Sequence, residues 1–200
     1  MKKNMKHVLL ILLTFSLSCS SFAQNIDIDL LRKINVQRNT NLDGTFLLIT
    51  NSVTPLTIST PTLITGIGLL KKDSLLTRKG LYIGASILVA GGISTALKYS
   101  IRRERPFYTY PDIQKMTGGG SPSFPSGHTS DAFSIATSLS IAFPQWYVIA
   151  PSFVWASAVG YSRMHLGVHY PSDVLVGAIV GAGSAYACHK INIWLKQRTR

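Results

Sequence analysis

Acidic side chains are scarce in this 200-residue chain: eight Asp and Glu stand against twenty Lys and Arg, a formal net charge of +12. The eight are Asp27, Asp29, Asp43, Asp73, Glu104, Asp112, Asp131 and Asp173, and they form no spaced cluster of the kind that holds a pair of metal ions. Charged residues of either sign make up only 14% of the chain, fewer than an ordinary soluble domain carries. Cysteine is nearly absent: Cys19 lies in the N-terminal leader and Cys188 in an apolar run, which excludes a disulfide framework. Internal repeats and low-complexity tracts are missing as well. The basic residues sit in short clusters between apolar runs, with no basic helix and no interleaved aromatics, so the excess positive charge does not describe a nucleic-acid surface.

What fills the chain instead is apolar sequence, 46% of it, gathered into runs. The mean hydropathy is positive, and a membrane protein of one domain fits that pattern. Lys2, Lys3 and Lys6 precede the run Val8 to Leu17, followed by Ser21-Phe22-Ala23. That is the layout of a signal peptide over residues 1–23, cleaved after Ala23, with an apolar run shorter than the ~20 residues of a bilayer crossing. A lipid-modified Cys19 and an uncleaved first span are the alternatives. Residues 24–45 read as an amphipathic leader, either lying on the membrane surface or simply connecting to the first span.

Residues 46–200 form the main domain. Phe46 to Leu70 is a first apolar region that Pro55 and Pro61 divide into a short helix and a span; Gly80 to Leu97 is a second, whose Gly84, Ala85, Gly91 and Gly92 admit close helix packing. Spans over 129–143, 146–161 and 174–195 follow. The expected fold class is all-α, a polytopic membrane helical bundle with about five transmembrane helices, or six apolar segments if the leader is retained. Lys71, Lys72, Arg78, Lys79 and the tail Lys196, Arg198, Arg200 belong on the cytoplasmic side, which puts the loops 98–124 and 162–172 on the opposite face. Those loops are also basic, with Lys98, Arg102, Arg103, Arg105, Lys115 and Arg163, and cations placed against the topological rule invite an anion.

Pro125-Ser126-Gly127-His128 is the natural seat for one. Gly127 lets a backbone approach a ligand, Ser126 can cap a helix over 129–143, and the free N–H groups of that helix start bind anions. His128 stands beside the seat, able to exchange a proton near neutral pH. A capped turn with an incidental histidine accounts for the same four residues. Lys98 and Arg105, two helical turns apart, can face one way, and Pro106 turns the chain just after them. Beyond the next hairpin, Ser162-Arg163 is followed by His169 and, four residues on, by Asp173 at a helix start favoured by Pro171 and Ser172. A carboxylate that fixes one ring nitrogen as a donor leaves the other free as a nucleophile.

Taken together, Lys98-x6-Arg105-Pro106, Pro125-Ser126-Gly127-His128 and Ser162-Arg163-x5-His169-x3-Asp173 resemble the three-part signature of the type 2 phosphatidic acid phosphatase (PAP2) family, which shares its site with vanadium haloperoxidases and bacterial nonspecific acid phosphatases. The resemblance implies a bundle of the PAP2/vanadium haloperoxidase type and a phosphatase needing no metal and no cofactor. It implies His169 as nucleophile, Asp173 as its orienting carboxylate and His128 as proton donor and then base. Lys98, Arg105, Arg163, Ser126 and Gly127 would bind the phosphate. A multi-pass enzyme of the bacterial inner membrane with a periplasmic site, acting on a phosphorylated lipid and partnering no nucleic acid, follows from the family's membrane branch. Lipid A comes first among substrates, then undecaprenyl diphosphate, phosphatidylglycerol phosphate and phosphatidate. A haloperoxidase using the same cradle for vanadate, and a lipid-binding protein with an inactive site, are the readings of other classes.

Other residues carry plainer expectations. His165 is a loop or substrate-contact residue or filler, and His189 is interfacial. Arg102, Arg103 and Glu104 pair with one another or with a head group, and Asp131 pairs with a basic loop residue. Trp146, Tyr147, Trp155, Tyr161 and Trp194 anchor and pack at the interfaces, and Met116 with its neighbouring glycines forms a loop over the site.

Overall fold

The computed structural model describes residues 26–198, and among them there is no strand. Residues 26–35 form α1. After a 3-10 turn at Thr40–Leu42 come α2 (Asp43–Asn51), α3 (Val53–Leu70), α4 (Ser74–Ile101), the short α5 (Pro106–Thr109), α6 (Gly127–Ala142), α7 (Trp146–His165) and α8 (Pro171–Arg198). The signal-peptide expectation falls outside the described residues. Helices occupy all five places where apolar runs are expected, so the all-α bundle holds.

Three stretches, Thr40–Leu70, Ser74–Thr109 and Pro171–Trp194, are long and apolar enough to cross a membrane. The helix α6 is not among them. Its 16 residues reach only about 24 Å, and it is instead the buried axle of the bundle, packed against α3, α4, α7 and α8. Its interior face is made of small residues, including Ala132, Ala136, Ser130, Ser134 and Ser138. Small side chains on the central helix let four neighbours approach it.

Two expectations need correction. The break in the first apolar region falls at Ser52, between α2 and α3, whereas Pro61 sits inside α3 without ending it; in a span, hydroxyls and neighbouring helices tolerate the freed carbonyl. Close packing also rests on only part of the expected set: a Cβ at Gly84 would touch Pro61 of α3 at 3.4 Å. A side chain at Gly91 or Gly92 would meet nothing, while one at Gly68 or Gly80 would strike Thr77 or Thr65, fixing the antiparallel pair α3 and α4. Gly177 and Gly181 do the same where α8 lies against the Ser126–Ser134 stretch of α6 and its cap.

Helix ends decide where the chemistry can be. Asp73 caps α4 by accepting from the N–H groups of Leu75 and Leu76. At the other end α4 stops at Arg102, whose left-handed φ of 52° turns the chain out of the helix. The C-terminal ends of α4 and α7 and the starts of α6 and α8 therefore share one end of the bundle, with the loops 102–126 and 166–170. The α3–α4 turn lies at the opposite end with the α6–α7 turn, as the stacking of Lys79 over the Phe143 ring shows.

The contact between α6 and α8 yields a test. A Cβ at Gly181 would collide with the Ser130 carbonyl oxygen and come within 2.9 Å of the Ser134 nitrogen, whereas Gly183 faces open space. Gly181→Val should destabilise the protein by about 1–3 kcal/mol or more, read as a lower midpoint of thermal unfolding in detergent, with Gly183→Ala unchanged or raised by up to about 1 kcal/mol.

Candidate active site

At the loop-bearing end of the bundle, residues from six places surround a cavity of about 240 Å3. Lys98 comes from the last turn of α4, Arg105 from the residue before α5, Gly118 to Ser121 from the long loop, Gly127 and His128 from the start of α6, Arg163 from the last turn of α7, and His169 from the loop before α8. No carboxylate lines this cavity.

Local rules place each cation. The residue before a proline avoids the helical region, and Arg105 is extended at φ −78°, ψ 151° with Pro106 opening α5. Its guanidinium is buried and held by the backbone: Nε donates to the Ser121 carbonyl at 2.8 Å and Nη1 to that of Val168 at 2.9 Å. Nη1 also lies 3.3 Å from His169 Nε2. Gly119 packs on this guanidinium so closely that a Cβ there would come within 2.8 Å of Nη1. Lys98 Nζ donates to the Pro122 carbonyl at 2.7 Å. Arg163 is buried; its Nη1 donates to Thr50 Oγ1 at 2.6 Å, and its Nε has no partner among the described residues.

The helix α6 begins at Gly127, two residues earlier than expected, so its first turn carries His128 into the cavity wall. Ser126 is its cap, and its hydroxyl accepts from Thr129 Oγ1 at 2.8 Å. That hydroxyl is fully buried and does not line the cavity. Of the expected phosphate-binding groups, Ser126 is thus the one whose side chain stands behind the seat.

Behind His169 stands Asp173, without solvent exposure in the first turn of α8. Its Oδ2 is 3.4 Å from His169 Nδ1 and accepts from the Tyr170 N–H at 3.0 Å and from the Ser123 hydroxyl in a short bond. Its Oδ1 accepts from Arg103 Nη1 at 2.8 Å. Nε2 of His169 is thereby left facing the cavity and the cations. Burial, reinforced by Arg105 and Arg163 and only partly offset by Asp173, pushes the His169 ring down to about 3, so it is neutral at physiological pH.

A model of the PAP2 superfamily matches residues 79–197, more than half of the chain. The chain belongs to the PAP2 superfamily. Among curated PAP2 relatives, the lipid A 4′-phosphatase of Bacteroides thetaiotaomicron is 33% identical over 100 residues, covering 48% of this chain and 44% of that protein. The matched stretch thus spans less than half of that relative. The fold is similar to that of Aquifex aeolicus LpxE, with a TM-score of 0.69 and 29% identity over 82% of this chain and 95% of that one. It is similar as well to a transmembrane PAP2-type phosphatidylglycerolphosphate phosphatase of Bacillus subtilis, with a TM-score of 0.67 and 26% identity over 85% and 86%. Together with its apolar helices, this makes the chain a multi-pass membrane protein of the PAP2 superfamily.

Several groups at this PAP2 site are not legible from its motifs. Arg103 pairs with Asp173 and Asp27, and among the described residues no ion pair joins it to Glu104. Asn35 ties α1 to the site loops by donating to the carbonyls of Gln114 and His165 and accepting from the Gln114 N–H. Met116 N–H donates to Leu166 O, fastening the long loop to the end of α7. The available signal was in α1: Asp27, Leu31 and Asn35 recur every four residues, and two polar side chains on an otherwise apolar stripe need buried partners. His165 turns away from the cavity, with Nε2 2.8 Å from Asp43 Oδ1 and its ring against Phe46. Asp131 makes no ion pair among the described residues, contrary to expectation.

The shifted histidine has a consequence for stability. Unfolded, the ring titrates near 6.5; folded, near 3. Between those values the unfolded chain binds more protons, so stability present above pH 6.5 is lost as the pH falls towards 3. Thermal unfolding in detergent from about pH 7 to about pH 4 should show a fall in midpoint that is smaller in His169→Gln, which has no ring to protonate; an equal fall in both proteins would contradict the neutral buried ring.

Proposed function

We propose that this PAP2 protein is a lipid phosphatase that removes a phosphate from lipid A, through a phosphohistidine and without a metal ion, at the periplasmic face of the bacterial inner membrane. The observation that supports it most is the composition of one cavity: three cations, two histidines and no carboxylate around a space suited to one phosphate at the end of membrane helices.

Phosphoryl transfer asks a protein mainly to place the reacting atoms and neutralise three oxygens. Lys98, Arg105, Arg163 and the Gly127 N–H at the start of α6 supply that neutralisation, and the partnerless Nε of buried Arg163 is a donor that a phosphate oxygen would satisfy. His169 Nε2 attacks phosphorus as the bond to the lipid oxygen breaks, and His128 gives that oxygen a proton. Asp173 keeps the Nδ1 proton of His169 in place and balances the charge that forms on the ring. In the second step His128 takes a proton from water, which attacks the phosphohistidine; phosphate leaves and His169 is regenerated.

The basic α3–α4 turn, with Lys71, Lys72, Arg78 and Lys79 at the end away from the cavity, favours a cytoplasmic position there and hence a periplasmic site. A cavity at the mouth of the bundle meets a lipid phosphate at head-group level. The lipid A assignment draws on the curated relative that carries that activity in its name.

The test offers bis-phosphorylated lipid A and undecaprenyl diphosphate to the purified protein in detergent with excess EDTA. Phosphate should be released from lipid A, fall to background in His169→Ala and drop by about 10²- to 10⁴-fold in His128→Ala. Faster release from undecaprenyl diphosphate would move the substrate to that lipid. Binding without release would mean a lipid-binding role, and loss of release in EDTA would overturn the histidine mechanism.

A further inference from the structure

The residue Asp27 lies well outside the stretch 79–197 matched by the PAP2 superfamily, yet it is wired to the carboxylate behind the nucleophile. One of its oxygens accepts from the Ser172 N–H at 2.8 Å; the other accepts from Arg103 Nη2 at 2.7 Å and from the Ser172 hydroxyl. Arg103 in turn gives its other terminal nitrogen to Asp173 Oδ1 at 2.8 Å and to Ser172 Oγ at 2.7 Å, with its guanidinium 3.7 Å from the centre of the Tyr170 ring. The geometry is that of a fork: a planar cation bonded at one tine to Asp27 and at the other to Asp173, and lying over the Tyr170 ring, which limits its swing. In the first turn of α8, Asp173 accepts from the Tyr170 N–H, and the Ser172 N–H finds its acceptor in Asp27 of α1.

We infer that Asp27 is a positioning residue for the phosphoryl-transfer step, acting through Arg103 to fix the carboxylate of Asp173 and so the Nδ1–H, Nε2-free tautomer of His169. This rests on the histidine reading of the site. Neither Asp27 nor Arg103 lines the cavity, so neither touches the phosphate. What the pair governs is direction. Oδ1 of Asp173 is anchored by Arg103, and rotation about the carboxylate is blocked, so Oδ2 stays presented to His169 Nδ1. With the fork cut, Oδ1 loses its charged donor in a fully buried place, and the carboxylate can turn towards the remaining donors, the Ser123 hydroxyl and the Tyr170 N–H. The imidazole then keeps only the Arg105 Nη1 donor at Nε2 to select its tautomer, and the share of rings that carry a hydrogen on the attacking nitrogen rises.

The experiment compares Asp27→Asn, Arg103→Gln, Arg103→Lys, the double variant Asp27→Asn/Arg103→Gln and the exposed control Asp29→Asn, all in detergent and all checked for folding by thermal unfolding. With bis-phosphorylated lipid A as the probe, kcat should fall about ten- to a hundredfold in Asp27→Asn and Arg103→Gln while KM stays within about twofold. The double variant should be no slower than Arg103→Gln alone, because one path has been cut twice. Arg103→Lys should recover part of the rate, since it keeps the charge and loses the fork. A second readout does not depend on turnover: in protein labelled with 15N-histidine, the His169 resonances, assigned by their loss in His169→Gln, should report the Nδ1–H tautomer in the parent chain and a mixture in the variants. If the parent releases no phosphate from lipid A, the substrate reading fails and the tautomer comparison still decides the positioning role. An unchanged tautomer in folded Asp27→Asn, a rise in KM alone, or additive losses in the double variant would each overturn it. Should Arg103→Gln fail to fold, the near-isosteric Asp27→Asn carries the comparison with the same two readouts.

Discussion

A carboxylate without solvent exposure must have its charge and its lone pairs met inside the protein, and Asp173 meets them from four directions. The loop before α6 sends the Ser123 hydroxyl, the loop before α8 sends the Tyr170 N–H, the chain just past α4 sends Arg103, and His169 presents its ring. The backbone of the same residue accepts from the Ser126 N–H, so the cap of α6 is fixed to the start of α8. One buried charge therefore sets the relative positions of both helix starts and of the histidine between them. Removing it would leave Arg103 half-partnered and the ring unoriented, a loss much larger than that of a single hydrogen bond.

The opposite problem arises a few ångströms away, where Lys98, Arg105 and Arg163 crowd one small space with no acid beside them. Like charges so placed repel, and the fold offsets this with dipoles in place of carboxylates. The carbonyls of Ser121, Pro122 and Val168 hold Lys98 and Arg105, and the Thr50 hydroxyl holds Arg163. Neutral acceptors steady the cations without cancelling their field. A carboxylate in any of those places would have made stronger pairs and cancelled much of that field. Gly119 serves the same end, because only a residue without a side chain lets the loop lie against Arg105.

Motif spacing carried much of this arrangement. The turn at Arg105-Pro106, the cap at Ser126, the return of Asp173 to His169 and the convergence of three distant segments all follow from local rules about proline, capping and helical spacing. Helix placement was likewise legible from apolar runs. What the pattern did not carry were the partners made across long separations. Nothing in Arg-Arg-Glu-Arg says which arginine faces the cavity and which turns back to Asp173 and Asp27. The seat of Arg163 on Thr50 is a contact between α7 and α2 with no sequence rhythm to announce it. Two of the glycines misled for the same reason: Gly91 and Gly92 look like a packing motif on one helix, but no described residue lies against them, and Gly181 matters because Ser130 lies across from it.

The link between Asp27 and Ser172 joins residues 145 apart, and Asn35 reaches His165 across 130. Contacts of that separation carry a loop-closure cost that the bonds they make must offset. The helix α8 is the last of the described elements to be made, and its first turn completes both the carboxylate cluster and the seat for α1. The helices α1 to α7 all precede that turn in the chain, so the orientation of His169 depends on contacts that tie the first described helix to the last.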